Sequence, residues 1–534
     1  MVPKGICLFS VLCGARAASV VSTSTGCTGL RSIYHDVSAT KVINATRVPS
    51  GGLNISSEEG TEAIQNEIPL CHVQGTIKYA DGPSGHVQPD THGNATLLWE
   101  AFLPEHDVYN GRYLGIGNGG YAGVIDNSTM LTYLNQGYAV GGCDSGHHIN
   151  ENGNETGYAP FMDDTAKVKA WIHDSIALTT KVARDAVAAT YYDQLPEYSY
   201  YYGCSTGGGQ AYSLAEFYPE LFDGIFAEGP GNYYTHLILS FLWNQQHTQG
   251  DTFLDQDILD FMTEQVLDAC DALDGVKDRV IENPLHCDFN ITTLACSPGQ
   301  NSTRQNPCLT PPQLRAAQAI YSGAKDKEGN QVYPGFNFGT ESAWLGQEGS
   351  LFNSYGVPIL RQLVFHNRTY DAVKDFNWDT DLKKVNDLAS PLIDGISTNP
   401  SSFHARGGKL ITAQGWADTI NAATWPMEHL EDMEKAMGKA KVDEFMRLFM
   451  VPGGGHCGAN PDYPQVPVSY QINVLDALVE WVEKGVPPDE GINSEGPSDG
   501  SNISRRLCPW PKQTVFVGEN QDRWEDYKCV VVVE

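Results

Sequence analysis

The sequence has few basic residues for its length. Its 534 residues include 34 lysines and arginines against 65 aspartates and glutamates, which gives a formal net charge of −31. A surface of that sign repels phosphate backbones and anionic lipid headgroups. The composition therefore argues against a nucleic-acid-binding or membrane-surface protein. It favours a soluble protein and is consistent with a protein that is active at acidic pH.

Long apolar runs are also missing. After the N-terminal segment, no uninterrupted apolar stretch reaches the about 18 residues that a membrane-spanning helix needs. The N-terminal segment itself combines Lys4, a short apolar core over residues 6–13 and the small-residue pattern Ala15-Arg16-Ala17. This combination is typical of a cleaved secretion signal. Residues 1–17 are therefore predicted to be a signal peptide, with a buried first helix as the alternative, and the protein is expected to be secreted.

Cysteines and glycosylation sequons agree with secretion. Of the 13 cysteines, Cys7 and Cys13 would leave with the signal, so that an odd number remains. An oxidising compartment pairs most cysteines, which predicts one free thiol. Cys143 is the best candidate because it ends a strand-like segment with no neighbouring cysteine. An N-glycosylated surface is predicted from Asn-x-Ser/Thr sequons at Asn44, Asn54, Asn94, Asn127, Asn154, Asn290, Asn301, Asn367 and Asn502.

The chain has no internal repeat, and strand-like and helix-like patterns alternate along its first part. Strands separated by helices predict a parallel α/β sheet. The alternation is lost from about residue 233 to 400 and then returns. We therefore predict a catalytic α/β domain over residues 18–232 and 401–534, interrupted by a lid domain over 233–400. Three serial domains are the weaker alternative, since the last two strands would lack a sheet.

The predicted strands are 97–103, 112–116, 138–143, 198–202, 222–227, 409–413 and 445–451, and the main helices are 165–191, 208–218 and 470–484.

A nucleophile motif follows one of these strands. The segment Gly203-Cys204-Ser205-Thr206-Gly207 matches the pattern G-x-S-x-G between a predicted strand and a predicted helix. This is the setting of the nucleophile elbow in the α/β-hydrolase fold, where a tight turn exposes the serine. An ordinary glycine-rich turn is the alternative. We predict that Ser205 is the nucleophile of a serine esterase with an α/β-hydrolase fold.

A serine hydroxyl needs a base, and in this fold the partners follow in the order Ser, Asp or Glu, His, each after a later strand. Asp418 follows the predicted strand at 409–413, and His456 follows the predicted strand at 445–451 after three glycines. Alone, each is an ordinary turn or loop residue. Together, in this order, they predict a triad of Ser205, His456 and Asp418.

Two cysteines flank this predicted triad. Cys204 directly precedes the nucleophile, and Cys457 directly follows the base. A disulfide between them would tie the two loops together and limit the drift of the Ser–His hydrogen bond. The residues themselves leave open that each cysteine pairs elsewhere.

These features resemble the fungal tannase and feruloyl esterase family, whose signature is Cys-Ser, then Asp, then His-Cys. The elements stand here as Cys204-Ser205, Asp418 and His456-Cys457. The resemblance covers the mature chain, including the run from Gly117 to Gly120, and implies the disulfide beside the triad. It implies a phenolic-acid esterase whose inserted lid selects the acyl group. By proximity and resemblance, the pairs are Cys27–Cys71, Cys204–Cys457, Cys270–Cys287, Cys296–Cys308 and Cys508–Cys529, which leaves Cys143 free.

An oxyanion hole needs two N–H donors. One is expected from Thr206, the residue after the nucleophile. The other is expected from Gly119 or Gly120 in the loop after an earlier strand, because glycine lets the backbone approach a substrate closely. A plain glycine turn is the alternative for this loop.

The predicted lid carries an acidic segment with Asp271, Asp274 and Asp278. From charge spacing alone, a solvated acidic loop is favoured over a metal site, and the spacing is not that of an EF-hand. The family resemblance implies a structural Ca²⁺ site here, completed by the carbonyl groups of Val276 and Val280.

The expected substrate is a feruloyl (hydroxycinnamoyl) ester of plant cell-wall polysaccharide, such as xylan. A tannase acting on galloyl esters is the alternative. A non-catalytic glycan- or phenolic-binding protein on an esterase scaffold is the distant alternative. The complete Ser-His-Asp set argues against it, because a binding protein does not need all three residues.

Overall fold

The structure is a computed structural model of the chain. The predicted signal peptide and the sequons at Asn154 and Asn502 lie outside the described residues. The residues described are 26–33, 39–56, 63–153, 157–191, 194–458, 470–495 and 504–531.

A mixed sheet of ten strands forms the centre of the described part of the chain. The strand at Gly224–Glu228 is buried at every position, whereas the strand at Ala95–Pro104 begins with alternating buried and exposed side chains. The first pattern is typical of a parallel strand covered on both faces, and the second of an antiparallel strand with one solvated face. In chain order the strands are β1 (Thr40–Val48), β2 (Leu70–Asp81), β3 (Val87–Pro89), β4 (Ala95–Pro104), β5 (Arg112–Ile116), β6 (Ala139–Cys143), β7 (Tyr198–Cys204), β8 (Gly224–Glu228), β9 (Lys409–Gly415) and β10 (Met446–Val451).

The strand order in the sheet is β1-β2-β4-β6-β5-β7-β8-β9-β10, and β3 pairs with the end of β2. Strands β1, β2 and β4 are antiparallel to their neighbours, whereas β5 to β10 run parallel to one another. The carboxyl ends of the six parallel strands therefore lie at the same edge, where open α/β sheets bind ligands. All strands predicted from the sequence lie in this sheet, and the α/β-hydrolase fold is confirmed.

Helices cover both faces of the sheet. Apolar side chains of Ser175–Thr190, Thr206–Phe217 and Trp425–Met437 pack on one face, and those of Asn127–Leu134 and Tyr470–Lys484 pack on the other. The helices found in the described residues are Gly26–Ile33, Asn127–Leu134, Thr165–Lys169, Ser175–Thr190, Thr206–Phe217, Tyr234–His247, Gln256–Cys270, Pro311–Ser322, Val357–Ile359, Ala372–Asp375, Thr380–Leu388, Ser390–Ile393, Ser401–Ala405, Trp425–Met437, Lys439–Val442 and Tyr470–Lys484.

Between β8 and β9 the chain leaves the sheet and forms mainly helices. One of its apolar clusters, around Met262 and Trp344, belongs to this segment alone. Another contains Ile238 and Phe352 together with Trp171 from the long helical segment before β7, so the inserted segment packs on the sheet-bearing part. The domain bounds 18–232, 233–400 and 401–534 stay a prediction.

The five predicted disulfides are all present, and Cys143 is a free, buried thiol. The pairing predicted from the family resemblance is therefore confirmed. Burial raises the pKa of the Cys143 thiol to about 11, which keeps it in the unreactive protonated form. In the part of the chain that is described, no helix is both long enough and apolar enough to cross a membrane.

Candidate active site

Ser205 lies in a strained turn between β7 and the helix Thr206–Phe217. Its φ of 59° and ψ of −120° are unusual for a residue with a side chain, and such strain clusters at functional sites. The neighbouring glycines allow the helix to pack close to the sheet. A Cβ atom on Gly203 would lie 2.6 Å from the carbonyl oxygen of Gly207, and one on Gly208 would lie 2.5 Å from that of Glu228. The strand-turn-helix geometry is that of a nucleophile elbow.

Asp418 and His456 lie on the loops after β9 and β10 and are hydrogen-bonded to each other. The distance from His456 Nδ1 to Asp418 Oδ2 is 2.9 Å, and the side chain of Asp418 is fully buried. Oδ2 also accepts a hydrogen bond from Gln414 Nε2 at 2.9 Å, and Oδ1 accepts bonds from the backbone N–H groups of Ile420 and Asn421 at 2.8 and 2.9 Å. These donors fix the carboxylate, which in turn orients the imidazole with its proton on Nδ1.

The disulfide Cys204–Cys457 joins the nucleophile loop to the base loop. Its Cα atoms are 5.7 Å apart, although 253 positions separate the two cysteines in the sequence. A Cβ atom on Gly229 would lie within 3.4–3.6 Å of Asp418 Oδ2, Cys204 Sγ and His456 Nδ1. The end of β8 is thus surrounded by the disulfide and the Asp–His pair, and the three loops of the predicted triad meet there.

Removing this disulfide is expected to lower catalysis, although neither cysteine takes part in the proposed reaction. In the double variant Cys204→Ser/Cys457→Ser, the Ser205 and His456 loops can drift, and a misplacement of about 1 Å can cost about 100-fold in rate. We expect kcat to fall by about 10- to 100-fold and the melting temperature to fall, because the bridge closes a very long loop. Steady-state kinetics and thermal unfolding measure both effects.

The matched control is Cys508→Ser/Cys529→Ser, which removes a pair separated by only 21 positions near the C-terminus. This variant is expected to keep its kcat. An unchanged kcat in the Cys204/Cys457 double variant, with loss of the bridge verified by thiol counting, would contradict a clamping role.

The loop after β5, residues 117–120 and here called the glycine loop, contains the glycines predicted to supply the second oxyanion donor. The N–H group of Gly117 is bonded to the carbonyl of Tyr202, and the N–H group of Asn118 to Gln210 Oε1 at 3.1 Å. By contrast, within the described residues the N–H groups of Gly119 and Gly120 make no hydrogen bond. Unengaged amides are what an oxyanion needs, so both glycines remain candidates.

Thr206 is the first residue of the nucleophile helix, so its N–H group has no partner within that helix. The glycine loop reaches this helix terminus, because a Cβ atom on Gly207 would lie 3.0 Å from the carbonyl oxygen of Asn118. The structure therefore brings the predicted donors of the two loops to the same end of the helix. Their roles as oxyanion donors stay a prediction.

The inserted segment contacts the glycine loop and the Asp418 loop. Tyr121 donates a hydrogen bond to the carbonyl of Tyr355 at 2.6 Å, and a Cβ atom on Gly120 would lie 3.2 Å from the Tyr355 hydroxyl. On the other side, Gln347 Nε2 donates to the carbonyl of Thr419 at 2.5 Å. The insertion thus packs against both loops, and its role as a lid stays a prediction.

Glu228 is a buried carboxylate beside the Asp–His pair that the sequence reasoning missed. It ends β8 with 1% of its surface exposed and accepts a hydrogen bond from the Tyr202 hydroxyl at 2.7 Å. Burial lowers the pKa of His456, but the charges of Asp418 and Glu228 and the Asp418 hydrogen bond outweigh burial, so that the pKa is raised above its usual value. An acidic residue at the end of an otherwise apolar strand was the signal that could have revealed it.

The variant Glu228→Gln is expected to work at lower pH than the wild type. His456 can act as a base only when neutral, and the anion at Glu228 favours the protonated form. Without that anion the pKa of His456 falls, so the acidic limb of the profile of kcat/KM against pH moves to lower pH. The exposed Glu220→Gln is the matched control, and an acidic limb that coincides with that of the wild type would rule out the coupling.

The predicted calcium ligands lie in one turn after the helix Gln256–Cys270. The chain folds back at Gly275 (φ 90°) and Arg279 (φ 66°), and the buried Asp271 accepts hydrogen bonds at Oδ1 from the N–H groups of Asp278 and Arg279. Three carboxylates with backbone carbonyls are the hard oxygen donors that Ca²⁺ takes, so the donor chemistry fits.

One feature of this turn differs from a closed calcium cage. Arg505, from the strand Ser504–Leu507 near the C-terminus, forms an ion pair with Asp278. Among the described residues, Asp271, Asp274 and Asp278 do not form a group whose ligand atoms all lie within 4.8 Å of one another. A guanidinium therefore already neutralises part of the acidic turn, and calcium binding stays a prediction.

Comparisons with known proteins agree with the sequence resemblance. A family model described as "Tannase and feruloyl esterase" matches residues 83–530. The chain is 28% identical to a probable feruloyl esterase B from Aspergillus niger over 527 residues, covering 95% of each chain. The crystal structure of feruloyl esterase B from Aspergillus oryzae is similar with a TM-score of 0.82 at 26% identity, covering 95% of this chain and 100% of that chain. The tannin acyl hydrolase from Aspergillus niger is similar in fold, with a TM-score of 0.74 at 20% identity over 93% and 92% of the chains.

Proposed function

The chain belongs to the tannase and feruloyl esterase family, and from that premise we propose that it hydrolyses esters of phenolic acids, with feruloyl esters of plant cell-wall polysaccharide as its main substrates. The observation that carries this proposal is the hydrogen-bonded Asp418–His456 pair tied by the Cys204–Cys457 disulfide to the Ser205 elbow. A binding protein on the same scaffold would have no use for this arrangement, which argues against the non-catalytic alternative.

The proposed reaction is acyl transfer in two halves. His456 accepts the proton of the Ser205 hydroxyl as the oxygen attacks the ester carbonyl, while buried Asp418 holds the imidazole and stabilises its cation. The negative charge on the carbonyl oxygen is stabilised by the N–H group of Thr206 and by Gly119 or Gly120. His456 then gives its proton to the leaving alcohol. Water, activated by the same imidazole, hydrolyses the acyl-enzyme and frees the phenolic acid.

The surroundings of the glycine loop support an aromatic acyl group. Tyr121 and Tyr355 lie beside Gly120 with their rings 5.4 Å apart, and both line a cavity of about 570 Å³ together with Tyr158. The lining combines three tyrosine rings with polar asparagine and serine side chains, and it therefore offers both ring contacts and hydrogen bonds to a phenolic ring. The insertion, which carries Tyr355, is therefore proposed to select the acyl group.

Ferulate is favoured over gallate because the relatives at 26–28% identity carry the name feruloyl esterase B, whereas the tannin acyl hydrolase is similar in fold at only 20% identity. The test is to assay the purified full-length enzyme on methyl ferulate and methyl gallate. A higher kcat/KM on methyl ferulate is expected. A clear preference for gallate would favour the tannase alternative, and no turnover of either ester would overturn the proposed function.

Secretion and N-glycosylation are part of the same proposal. The support is the signal-like segment before residue 18, the sequons and the five disulfides, which form in oxidising compartments. Of the sequon asparagines inside the described residues, five are exposed and two, Asn44 and Asn127, are half-buried; the exposed ones are Asn54, Asn94, Asn290, Asn301 and Asn367. A signal-cleaved, glycosylated product in the medium of a producing culture is the expected observation.

We also propose that Ca²⁺ binds at Asp271, Asp274, Asp278 and the carbonyls of Val276 and Val280, with a structural role. Because the ion would bind only the folded turn, treatment with EGTA is expected to lower the melting temperature by several degrees, and added Ca²⁺ to restore it. Asp271→Asn should remove this response. Asp257→Asn, which changes an exposed residue at the start of the helix before the turn, should keep it. Melting that EGTA leaves unchanged would mean that Arg505 suffices to neutralise the turn.

A further inference from the structure

A second cluster of metal-binding side chains lies away from Ser205. It consists of His86, His173 and Asp174, whose ligand atoms all lie within 4.8 Å of one another, and it is the one such group in the described residues. His86 lies between β2 and β3, whereas His173 and Asp174 end the π-helical turn Ala170–Asp174 within the long helical segment. Two chain segments 88 positions apart thus converge on one carboxylate.

Both histidines of this cluster contact the same oxygen atom of Asp174. Asp174 Oδ1 lies 3.0 Å from His86 Nδ1 and 2.5 Å from His173 Nδ1. The same carboxylate accepts hydrogen bonds from the Tyr218 hydroxyl at 2.6 Å and from the N–H group of Val87 at 2.7 Å. Such outer contacts are typical of carboxylates that bind metals, because they fix the ligand oxygen in place.

We propose that His86, His173 and Asp174 form a binding site for Zn²⁺ or a similar divalent transition metal. Two imidazole nitrogens and one carboxylate oxygen are a donor set that suits Zn²⁺ rather than Ca²⁺ or Mg²⁺. Bonds of about 2.0–2.2 Å in a tetrahedral arrangement place ligand atoms about 3.3 Å apart. The distances of 3.0 and 2.5 Å from Asp174 Oδ1 to the two imidazole nitrogens therefore need to open by less than about 1 Å, and the two imidazole nitrogens lie within 4.8 Å of each other. The ring protons that now point at Asp174 move to Nε2 when the metal takes their place.

Burial and access also suit a metal. The Asp174 side chain is fully buried and that of His173 is 8% exposed, whereas the His86 side chain is 29% exposed. The rings of Phe217 and Tyr218 pack around the histidines, with centroid distances of 5.0–6.1 Å. An ion can therefore enter beside His86 and keep one water ligand on the solvent side, while the inner ligands lie in a dry, shaped environment.

The position of the site indicates what the metal would do. The same π-helical turn contains Trp171, whose Nε1 donates a hydrogen bond to the carbonyl of Gly120 at 3.0 Å and whose carbonyl accepts one from Gln210 Nε2 at 2.7 Å. A metal at Asp174 would fasten the β2–β3 hairpin to the turn that supports the glycine loop. The ion is therefore assigned a stabilising role, and no step of ester hydrolysis passes through it.

The test is a Zn²⁺ titration of the full-length, tag-free protein after removal of metals with a chelator. Calorimetry is expected to show one tight site, and Co²⁺ is expected to give the visible absorption bands of a low-symmetry site. In His86→Gln, Zn²⁺ affinity should fall by about 100-fold or more, because a direct ligand is lost. His92→Gln, which changes a histidine with a 95% exposed side chain in the next loop, should bind as the wild type does.

Two outcomes would overturn the proposal. One is the absence of Zn²⁺ binding by the wild type at about 100-fold excess of metal. The other is binding of equal affinity in His86→Gln, which would place the ion elsewhere. Asp271→Asn should bind Zn²⁺ like the wild type, and this separates the site from the proposed calcium turn. Because His86 is more exposed than His173, 29% against 8% of the side chain, its variant is expected to fold even if His173→Gln does not.

Discussion

Ser205→Ala is expected to lower kcat on methyl ferulate by about 10³- to 10⁶-fold, the range found when the nucleophile of a serine hydrolase is removed. The reason is that Ser205 is the residue that occupies the strained turn, with φ 59°, between β7 and the nucleophile helix, so its hydroxyl is the predicted nucleophile. The backbone donors of the oxyanion hole remain, so a small residual rate above that in water is expected rather than none. Steady-state kinetics, with active-site titration of the acyl-enzyme, measure the effect.

Ser213→Ala is the matched control for this variant. It removes a buried hydroxyl from the same helix, about two turns further on, and is expected to leave kcat within a few-fold of the wild type. Melting temperatures of both variants should stay close to that of the wild type. Turnover by Ser205→Ala at a rate near that of the control would refute the assignment of the nucleophile.

Asp418→Asn is expected to lower kcat by about 10⁴-fold while leaving the fold intact. The hydrogen bonds around the side chain supply the reason. Two backbone N–H groups, from Ile420 and Asn421, hold an acceptor at the Oδ1 position, so the amide oxygen of asparagine must lie there. Its NH₂ group then faces His456 Nδ1 and turns that nitrogen into an acceptor. The ring proton moves to Nε2, which can no longer take the proton of Ser205.

The exposed Asp432→Asn serves as the control for Asp418→Asn, since it removes one carboxylate without touching the site. The kinetic loss should appear in kcat and kcat/KM alike, because the carboxylate stabilises the imidazolium that forms only during reaction. A fall confined to a higher KM, with kcat preserved, would show that Asp418 is not the residue that orients the base.

The bounds of individual strands and helices could be predicted from local patterns in the sequence. The strand at Arg112–Ile116 and the helix at Tyr470–Lys484 have the predicted bounds, because their apolar periodicity and their glycine and proline stops lie within the segments themselves. The helix predicted at 165–191 is present as a continuous helical segment up to Thr190. Its π-helical turn was not predicted, because one additional residue in a turn leaves no local mark in the sequence.

The parts of the site that were missed depend on contacts between distant segments. Gln414 donates a side-chain hydrogen bond to Asp418, and Asn421 donates one from its backbone N–H group. In the sequence, however, Gln414 looks like an ordinary strand residue and Asn421 like an ordinary polar loop residue. Tyr355 belongs to the insertion, and only folding brings it against Gly120. Neither spacing nor residue type distinguishes such residues from their neighbours, since what singles them out is the packing of one loop on another.

The sequence by itself determined the class of the protein and the order of the predicted triad, because the elbow at Ser205, Asp418 after one strand and His456-Cys457 after the next are each short, local signals. Only the tertiary structure decided what surrounds them. Strand β8 lies between β7 and β9 in the sheet, and this order places Glu228 beside His456. The packing of the β2–β3 hairpin on a helix places His86 on Asp174. Strand order and the docking of distant segments are set by the sum of many long-range contacts, which no short stretch of sequence encodes.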